Sequence, residues 1–240
     1  MNWLDIPRVD EPEIIDGLEL TADDVARSMG DVAKTNRLFG GTQTIVSQTA
    51  KLLRDYPNGS TVKVLDIATG SADIPRALLA WGKRRNLNLQ IVAVDNHPAM
   101  LELARRSPNP PSLILADALA LPFPPRSFDI ALCALAFHHL GFDASVQLLK
   151  SMDALTTRGF IVSDLRRDRP SLMGVEASLR LLGCDPITLH DGPASVRKSW
   201  NINEFKKMIA LSGVQEMRVG VSWYFRVSLV QTKGVQGKDR

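Results

Sequence analysis

The 240-residue sequence contains only two cysteines, Cys133 and Cys184, and neither belongs to a C-x-x-C pair. This scarcity argues against a disulfide scaffold and against a zinc site built on paired cysteines. No apolar run approaches the roughly 20 residues that cross a bilayer. The N-terminus carries Asp5, Asp10 and Glu13, where a secretory signal would need a basic start and an apolar run. We therefore expect a cytoplasmic protein with no membrane partner.

A strong charge of one sign is also missing, because 29 Lys and Arg residues face 26 Asp and Glu residues. The basic residues form short clusters at 83–85, 105–106 and 206–207, on different predicted helices rather than along one stripe. Scattered clusters are typical of solvated faces, so no nucleic-acid partner is expected. The sequence carries no signal for an oligomeric state.

From Val62 onward, apolar strand-like runs alternate with helical patterns. The runs are apolar throughout, as in 130–135, which is typical of strands covered by helices on both faces. Five such strands predict a doubly wound parallel sheet of the α/β class. Two further runs, 215–221 and 223–231, are joined too closely for a parallel crossover and predict an antiparallel hairpin. The five parallel strands are expected at 62–67, 89–94, 112–116, 128–134 and 159–163.

The chain divides into an N-terminal arm and helical cap (1–60), a main domain (61–232) and a frayed tail (233–240). We expect residues 1–20 to form a loose arm, because they are polar, acidic and proline-bearing. A cap helix is predicted to begin at Thr21, with Asp24 as its capping-box partner.

Three further local predictions concern the main domain. Asn96 is expected to cap the helix after the second strand, with Pro98 just inside it. Asn203 is expected to cap a later helix that stops at Gly213. The stretch from His190 to Pro193 is expected to be a loop, because it contains adjacent glycine and proline.

The segment from Asp66 to Asp73 is the strongest functional signal. An apolar strand ends in Asp66, a turn of small residues follows, and a helix then begins, which brings backbone close to a ligand. A dinucleotide site would need G-x-G-x-x-G, but only Gly70 is present, between Ala68 and Ala72. Asp66 would repel a diphosphate, whereas it would attract a cationic sulfonium. NAD is therefore disfavoured.

Residues 60–231 resemble the class I S-adenosylmethionine (SAM)-dependent methyltransferases. Their first motif, D-x-G-x-G-x-G, reads Asp-Ile-Ala-Thr-Gly-Ser-Ala from Asp66 here, with alanine at two glycine positions. Alanine fits there if its φ is negative. The resemblance implies a Rossmann-like fold, SAM as cofactor, and cofactor contacts from Asp66, Ala68, Thr69, Gly70 and Asp73.

The same resemblance assigns residues at three later strand ends. Asp95, followed by Asn96, would receive the ribose hydroxyls, and a carboxylate can accept both protons. Any single aspartate is better explained as a helix cap or a surface charge. Three aspartates at the ends of successive strands, Asp66, Asp95 and Asp117, favour a ligand site, because such sheets bind ligands at that edge. Asp117 and Ala118 would meet the adenine edge, and Ala134 and Leu135 would lie under the cofactor.

Three histidines are candidate catalytic residues, since methyl transfer needs deprotonation of the acceptor and histidine accepts protons near neutral pH. His138 and His139 directly follow the fourth strand, although they are equally explained as turn residues that bond backbone. His190 precedes Asp191, whose charge would raise its basicity, but a polar surface loop explains this pair too.

The acceptor is expected to be a small molecule. The fourth strand ends in Ala134–Phe137, without the carboxylates that a metal-dependent methyltransferase presents there, so no metal is implied. The N/D-P-P-aromatic motif of DNA amino-methyltransferases is missing as well. We favour transfer to a phenolic or enolic oxygen. The alternatives are a ring carbon of a quinone or polyketide-like acceptor, and a non-catalytic SAM-binding or RNA-binding regulator.

Overall fold

The computed structural model describes residues 4–17, 20–222 and 225–234. Seven strands form one sheet: β1 (Thr61–Ile67), β2 (Asn88–Asp95), β3 (Ser112–Leu115), β4 (Phe128–Ala134), β5 (Thr156–Leu165), β6 (Met217–Val221) and β7 (Arg226–Gln231). The described residues also form eight α-helices: α1 (Ala22–Leu38), α2 (Gly41–Leu52), α3 (Asp73–Arg84), α4 (Pro98–Arg105), α5 (Phe142–Leu155), α6 (Arg169–Leu181), α7 (Pro186–Lys198) and α8 (Ile202–Ser212). Two 3-10 helices span Ile14–Asp16 and Phe137–His139.

The strand order is β3-β2-β1-β4-β5-β7-β6. The first five strands pair in parallel, and β7 pairs antiparallel with both β5 and β6. This confirms the predicted doubly wound, mostly parallel α/β sheet with an antiparallel C-terminal pair. From β1 the strand order runs through β2 and β3 to one side, and from β4 through β5 to the other. A crevice therefore opens between β1 and β4, at the carboxyl ends of these central strands.

Two hydrophobic clusters cover the two faces of the sheet. One contains Phe160 of β5 with Leu149 of α5 and Phe205 of α8. The other joins Val64 of β1 to Leu78 of α3 and to Ile45 of the predicted cap. Because both faces are covered, most residues of β1 and β4 are buried, which explains their largely apolar sequences. Helix α2 of the predicted cap therefore shares the core of the main domain.

The cap helices begin and end as local signals dictate. Thr21 and Asp24 form the predicted capping box on α1. Gly40 adopts a φ of 75° between α1 and α2, a conformation that glycine reaches without strain. Among the helices of the described residues, none is long and apolar enough to cross a membrane.

Three local predictions were wrong. Helix α4 is capped by His97 rather than Asn96, and α8 by Asn201, which forms a capping box with Glu204, rather than by Asn203. The predicted loop from His190 to Pro193 lies inside helix α7.

The glycine and proline of this segment have a packing cause. A Cβ on Gly192 would lie 2.3 Å from Leu179 Cδ1, so the glycine permits α6 and α7 to pack closely. Pro193 is tolerated inside the helix at the cost of one backbone hydrogen bond.

The prediction of a loose N-terminal arm was also wrong for residues 4–17. The Val9 N–H donates to the Arg197 carbonyl at 3.2 Å, and the Arg8 guanidinium stacks on Trp200 with its Cζ 4.1 Å from the ring centre. At the other end, Lys233 donates to the Thr156 carbonyl at 2.9 Å. The rest of the predicted frayed tail, 235–240, lies outside the described residues.

Candidate active site

A cavity of about 610 Å³ opens at the carboxyl ends of β1, β2 and β4, beneath α1 and α7. A volume of this size is typical of a pocket for a cofactor and a small molecule. All of the predicted cofactor residues line it: Asp66, Ala68, Thr69, Gly70, Asp73, Asp95, Asn96, Asp117, Ala118, Ala134 and Leu135. The topology therefore brings together residues that are far apart in sequence, at the edge where such sheets bind ligands.

The carboxylate of Asp95 accepts hydrogen bonds that hold the loop after β1 in place. One of its carboxylate oxygens accepts the Gly70 N–H at 2.8 Å, and the other accepts the His97 N–H at 2.9 Å. The Thr69 N–H donates to the Val94 carbonyl at 2.9 Å. The loop is thus tied to the end of β2 by backbone and side-chain bonds, which fixes the path along which a ligand meets its backbone.

The two alanines at glycine positions do not adopt the expected negative φ. Ala68 has a φ of 56° and Ala72 a φ of 57°, and Gly70 between them has 54°. A left-handed conformation brings the alanine Cβ too close to the following carbonyl and costs about 1–2 kcal/mol per residue. The loop therefore keeps the conformation that glycines would favour, and the ties to β2 sustain it.

We expect Ala68→Gly to raise the free energy of unfolding by up to about 1 kcal/mol, because it relieves the positive φ of this half-buried residue. The matched control is Ala77→Gly in the middle of α3, which should lower it by about 1 kcal/mol. Urea denaturation measures both. Equal destabilisation by the two substitutions would show that the positive φ of Ala68 does not strain the backbone.

Three carboxylates meet beside this loop. Asp66 is 2% exposed, and its burial together with the charges of Asp73 and Asp95 raises its pKa to about 7. Removing a carboxylate from water disfavours its ionised form, and like charges disfavour it further. A cation in the cavity would favour the ionised form and so oppose both effects. The end of the cavity that Asp66, Asp73 and Asp95 line, the cofactor end, therefore favours a cationic ligand.

From this pKa we expect the affinity for SAM to rise as the pH increases from 6 to 8. The sulfonium and ammonium groups favour ionised Asp66, so below pH 7 binding must first displace a proton, at a cost of up to tenfold in affinity per pH unit. Calorimetry in buffers of different ionisation enthalpy measures this proton release. Asp66→Asn should bind more weakly and lose this pH dependence, and an unchanged dependence would assign it to another group.

The residues present fit SAM. In addition to the carboxylates, both ring nitrogens of His97 are buried at the cavity wall and lack a hydrogen-bond partner within the described chain. Buried polar groups are normally satisfied, so orphaned atoms at a cavity indicate a polar ligand. His97 carries no motif signal, and only its place after Asp95 could have drawn attention to it.

At the other end of the cavity, His138 pairs with Asp164, which the sequence analysis did not single out. The ring Nδ1 of His138 lies 2.7 Å from Asp164 Oδ1, and the backbone N–H of His138 donates to Asp164 Oδ2 at 3.1 Å. Burial alone would raise the pKa of Asp164, but the charge and hydrogen bonds of His138 hold it below its usual value. The carboxylate thus fixes the ring and the tautomer, and leaves Nε2 as the proton acceptor.

The His138 Nε2 faces the N-terminal arm. Glu13 Oε1 lies 3.6 Å from this nitrogen and 3.6 Å from Lys198 Nζ. The side chain of Glu13 is 5% exposed, and Oε1 has no hydrogen-bond partner within the described residues. Asp191 holds this turn, because its two oxygens accept the N–H groups of Ile14 and Ile15 at 2.8 and 2.9 Å. Glu13 is thus a further polar group of the site.

The other two predicted histidines have different surroundings. His139 lines the cavity mouth, with Nδ1 3.3 Å from Asp16 Oδ2. Burial alone would lower its pKa, but the bond to Asp16 and the charges of Glu13 and Asp16 raise it. His190 is not among the residues that line the cavity, and it pairs with Asp191 at 2.8 Å on the exposed side of α7.

The histidines also form the donor set of a possible cation site. Glu13, His138 and His139 each offer one ligand atom, and these atoms lie within 4.8 Å of one another. Lys198 already places a positive charge beside Glu13, which opposes a divalent cation. The absence of a metal stays a prediction.

Comparison with known proteins supports the same reading. A family model described as a methyltransferase domain matches residues 64–159. Demethylmenaquinone methyltransferase of Thermotoga maritima is 40% identical over 77 residues, 32% of each chain. The Deinococcus radiodurans enzyme of that name is 36% identical over 104 residues, 42% of this chain and 41% of its own. The alignments thus span about a third to two fifths of these relatives.

Two solved structures share the fold. The plantazolicin methyltransferase in complex with S-adenosylhomocysteine gives a TM-score of 0.62 at 17% identity, covering 85% of this chain and 73% of that one. Human N-acetylserotonin methyltransferase in complex with SAM gives 0.61 at 12% identity, covering 89% and 57%.

The strand order and the cavity at the switch point define a doubly wound α/β protein that binds its ligand at the carboxyl edge of the sheet. The chain thus carries a methyltransferase domain at 64–159 on the fold of the class I SAM-dependent methyltransferases. SAM is the cofactor of this class.

Proposed function

We propose that the protein transfers a methyl group from SAM to a hydroxylated aromatic or quinol-type small molecule, with His138 removing the hydroxyl proton. The observation that carries the proposal is the buried pair of His138 and Asp164, 2.7 Å apart at the wall of the cavity that the predicted cofactor residues line. When bound, SAM supplies a methyl group on a cationic sulfur that leaves as a neutral thioether, so a ready nucleophile is the main requirement.

The residues of this chain would prepare that nucleophile. A phenolic hydroxyl has a pKa near ~10, so few acceptor molecules are ionised at neutral pH. His138 Nε2 takes the proton, and the carboxylates of Asp164 and Glu13 stabilise the imidazolium that forms. Overall, the acceptor loses one proton and gains one methyl group.

A ring carbon is the acceptor atom that the relatives favour, because they are named demethylmenaquinone methyltransferases. An ionised quinol places negative charge on its ring carbons as well as on its oxygens. Attack by carbon would turn the acceptor oxygen into a carbonyl; His138 would return its proton to this oxygen and then take the ring proton, so the net loss is again one proton. The His138 pair therefore suits this reaction.

A phenolic or enolic oxygen is the second candidate. The pair of His138 and Asp164 favours it too, because removal of a hydroxyl proton is the only proton transfer that O-methylation requires.

Transfer of a ¹³C-labelled methyl group tests the proposal. The protein is incubated with labelled SAM and a panel of hydroquinones, phenols and pyrones, and the ¹³C shift of the product distinguishes a C-methyl from an O-methyl group. Calorimetry with NAD provides the control for the disfavoured oxidoreductase. Tight SAM binding without transfer to any hydroxylated acceptor would favour the non-catalytic regulator instead.

A further inference from the structure

Arg226 is a buried cation that has no carboxylate partner in the described part of the chain. It opens β7 beside the end of β5, is 6% exposed and lines the cavity. Among the described residues no carboxylate oxygen lies within 4.0 Å of its guanidinium, and its single side-chain hydrogen bond runs from Nη2 to Asn36 Oδ1 at 2.6 Å. A buried guanidinium is costly unless an anion compensates it. This arrangement indicates that a ligand supplies the anion.

A chain of side chains holds Arg226 towards the cofactor end. Asn36, which accepts from Arg226, donates through Nδ2 to Asp73 Oδ2 at 3.0 Å. Asp73 begins α3, directly after the cofactor loop. Gly41 leaves the space for the guanidinium, because a Cβ there would lie 2.9 Å from Arg226 Cζ and 3.0 Å from Asn36 Oδ1.

The charges of SAM match this layout. SAM carries two cationic groups, the sulfonium and the α-ammonium, and one anionic group, the carboxylate of its methionine moiety. Asp66, Asp73 and Asp95 suit the cations but would repel the carboxylate. One lysine and one arginine of the described chain line the cavity, Lys198 and Arg226. Lys198 lies 3.6 Å from Glu13, at the end that also holds His138, the acceptor end. Arg226 is therefore the cation available to the carboxylate of SAM.

We infer that Arg226 binds the methionine carboxylate of SAM. The planar guanidinium suits a carboxylate because it offers parallel N–H donors. Asn36 is the positioning residue, since it holds the guanidinium and joins it to Asp73. Burial lowers the pKa of the guanidinium, but the neighbouring charges of Asp164 and Asp73 oppose this, so it stays a cation. The inference rests on SAM as cofactor and is independent of which acceptor is methylated.

Calorimetry with two ligands tests it. Decarboxylated SAM keeps the sulfonium and the amine but lacks the carboxylate. We expect the wild-type protein to bind SAM about 10- to 100-fold more tightly than this analogue, the range for a hydrogen-bonded charge pair. In Arg226→Gln the preference should fall to near unity, and Arg226→Lys should retain part of it. Arg218→Gln, on the neighbouring strand β6 and exposed, is the matched control and should keep the full preference.

The ratio of the two affinities separates binding from folding, because partial unfolding weakens both ligands equally. A wild-type preference that persists in Arg226→Gln would overturn the inference. Unchanged SAM affinity with a raised KM for the acceptor would overturn it too, and would assign Arg226 to the acceptor. A protein that shows the Arg226-dependent preference but methylates no acceptor would refute the proposed reaction and leave the carboxylate site standing.

Discussion

Replacement of His138 by glutamine is expected to lower kcat for methyl transfer by two to four orders of magnitude, the usual contribution of a positioned general base. Glutamine preserves the size of the side chain but cannot take a proton. The affinity for SAM should stay close to that of the wild type, because His138 lies at the acceptor end of the cavity. Rapid-quench measurement of labelled methyl transfer, alongside calorimetry with SAM, checks both quantities.

Asp164→Asn should cause a comparable loss through His138. The amide lacks the charge that stabilises the imidazolium, and it can turn its NH2 group towards Nδ1 and so favour the wrong tautomer. Because the two residues act as a unit, the double variant should be little worse than either single one. A merely structural role for Asp164 would instead give losses that multiply.

The chain provides a matched control in His190. Its Nδ1 lies 2.8 Å from Asp191 Oδ1, so it forms the same kind of pair, but it does not line the cavity. His190→Gln should therefore retain nearly full activity. A large loss in this variant together with wild-type rates in His138→Gln would contradict the assignment of the base. A raised pH should restore part of the activity of His138→Gln, since the acceptor then ionises without a base.

The cofactor end could be predicted from the sequence because its signals are local. Asp66, Gly70 and Asp73 follow one another within a strand, a turn and a helix start, and their charges alone favoured a cation. The sign of φ at Ala68 could not be predicted in this way. It depends on the tie between Gly70 and Asp95, 25 residues further along the chain, and a sequence pattern does not contain that bond.

The acceptor end is built almost wholly from long-range contacts. His138 meets Asp164 across 26 residues, and the turn that carries Glu13 is held by Asp191 across 177. Towards the cofactor end, Arg226 likewise reaches Asn36 across 190 residues. None of these pairs leaves a local periodicity or spacing, so sequence reasoning found only His138, which directly follows a strand. The order of the N-terminal arm could not be predicted for the same reason, since its partners lie in α7 and just after it, at Trp200.

Asp95→Asn is expected to have the largest effect on SAM binding, with an affinity loss of at least about 100-fold. Asp95 has two tasks: its oxygens accept the N–H groups of Gly70 and His97, and it is the predicted receptor of the ribose hydroxyls. An amide offers only one acceptor oxygen, so one of the two N–H groups loses its partner and the loop loosens. Each lost bond to a charged group costs about 1.5–3 kcal/mol.

Asp117→Asn is the matched comparison for this variant. Asp117 also lines the cavity, but it is exposed, and its carboxylate accepts the Leu119 N–H of its own turn at 2.9 Å. Because Asp117 is exposed, water can replace the hydrogen bonds that its carboxylate loses in the variant. The decrease in SAM affinity should therefore be much smaller than in Asp95→Asn. Equal losses would mean that burial and the tie to the loop contribute nothing.

The pH dependence of Asp95→Asn distinguishes electrostatics from loop geometry. The charge of Asp95 helps to raise the pKa of Asp66 to about 7, so removing it should lower that pKa. The pH range over which SAM affinity increases should then move below that of the wild type, even though the affinity itself is weaker at every pH. A loop that had merely lost its shape would bind more weakly with its pH midpoint unchanged, and titration calorimetry between pH 5 and 8 separates the two outcomes.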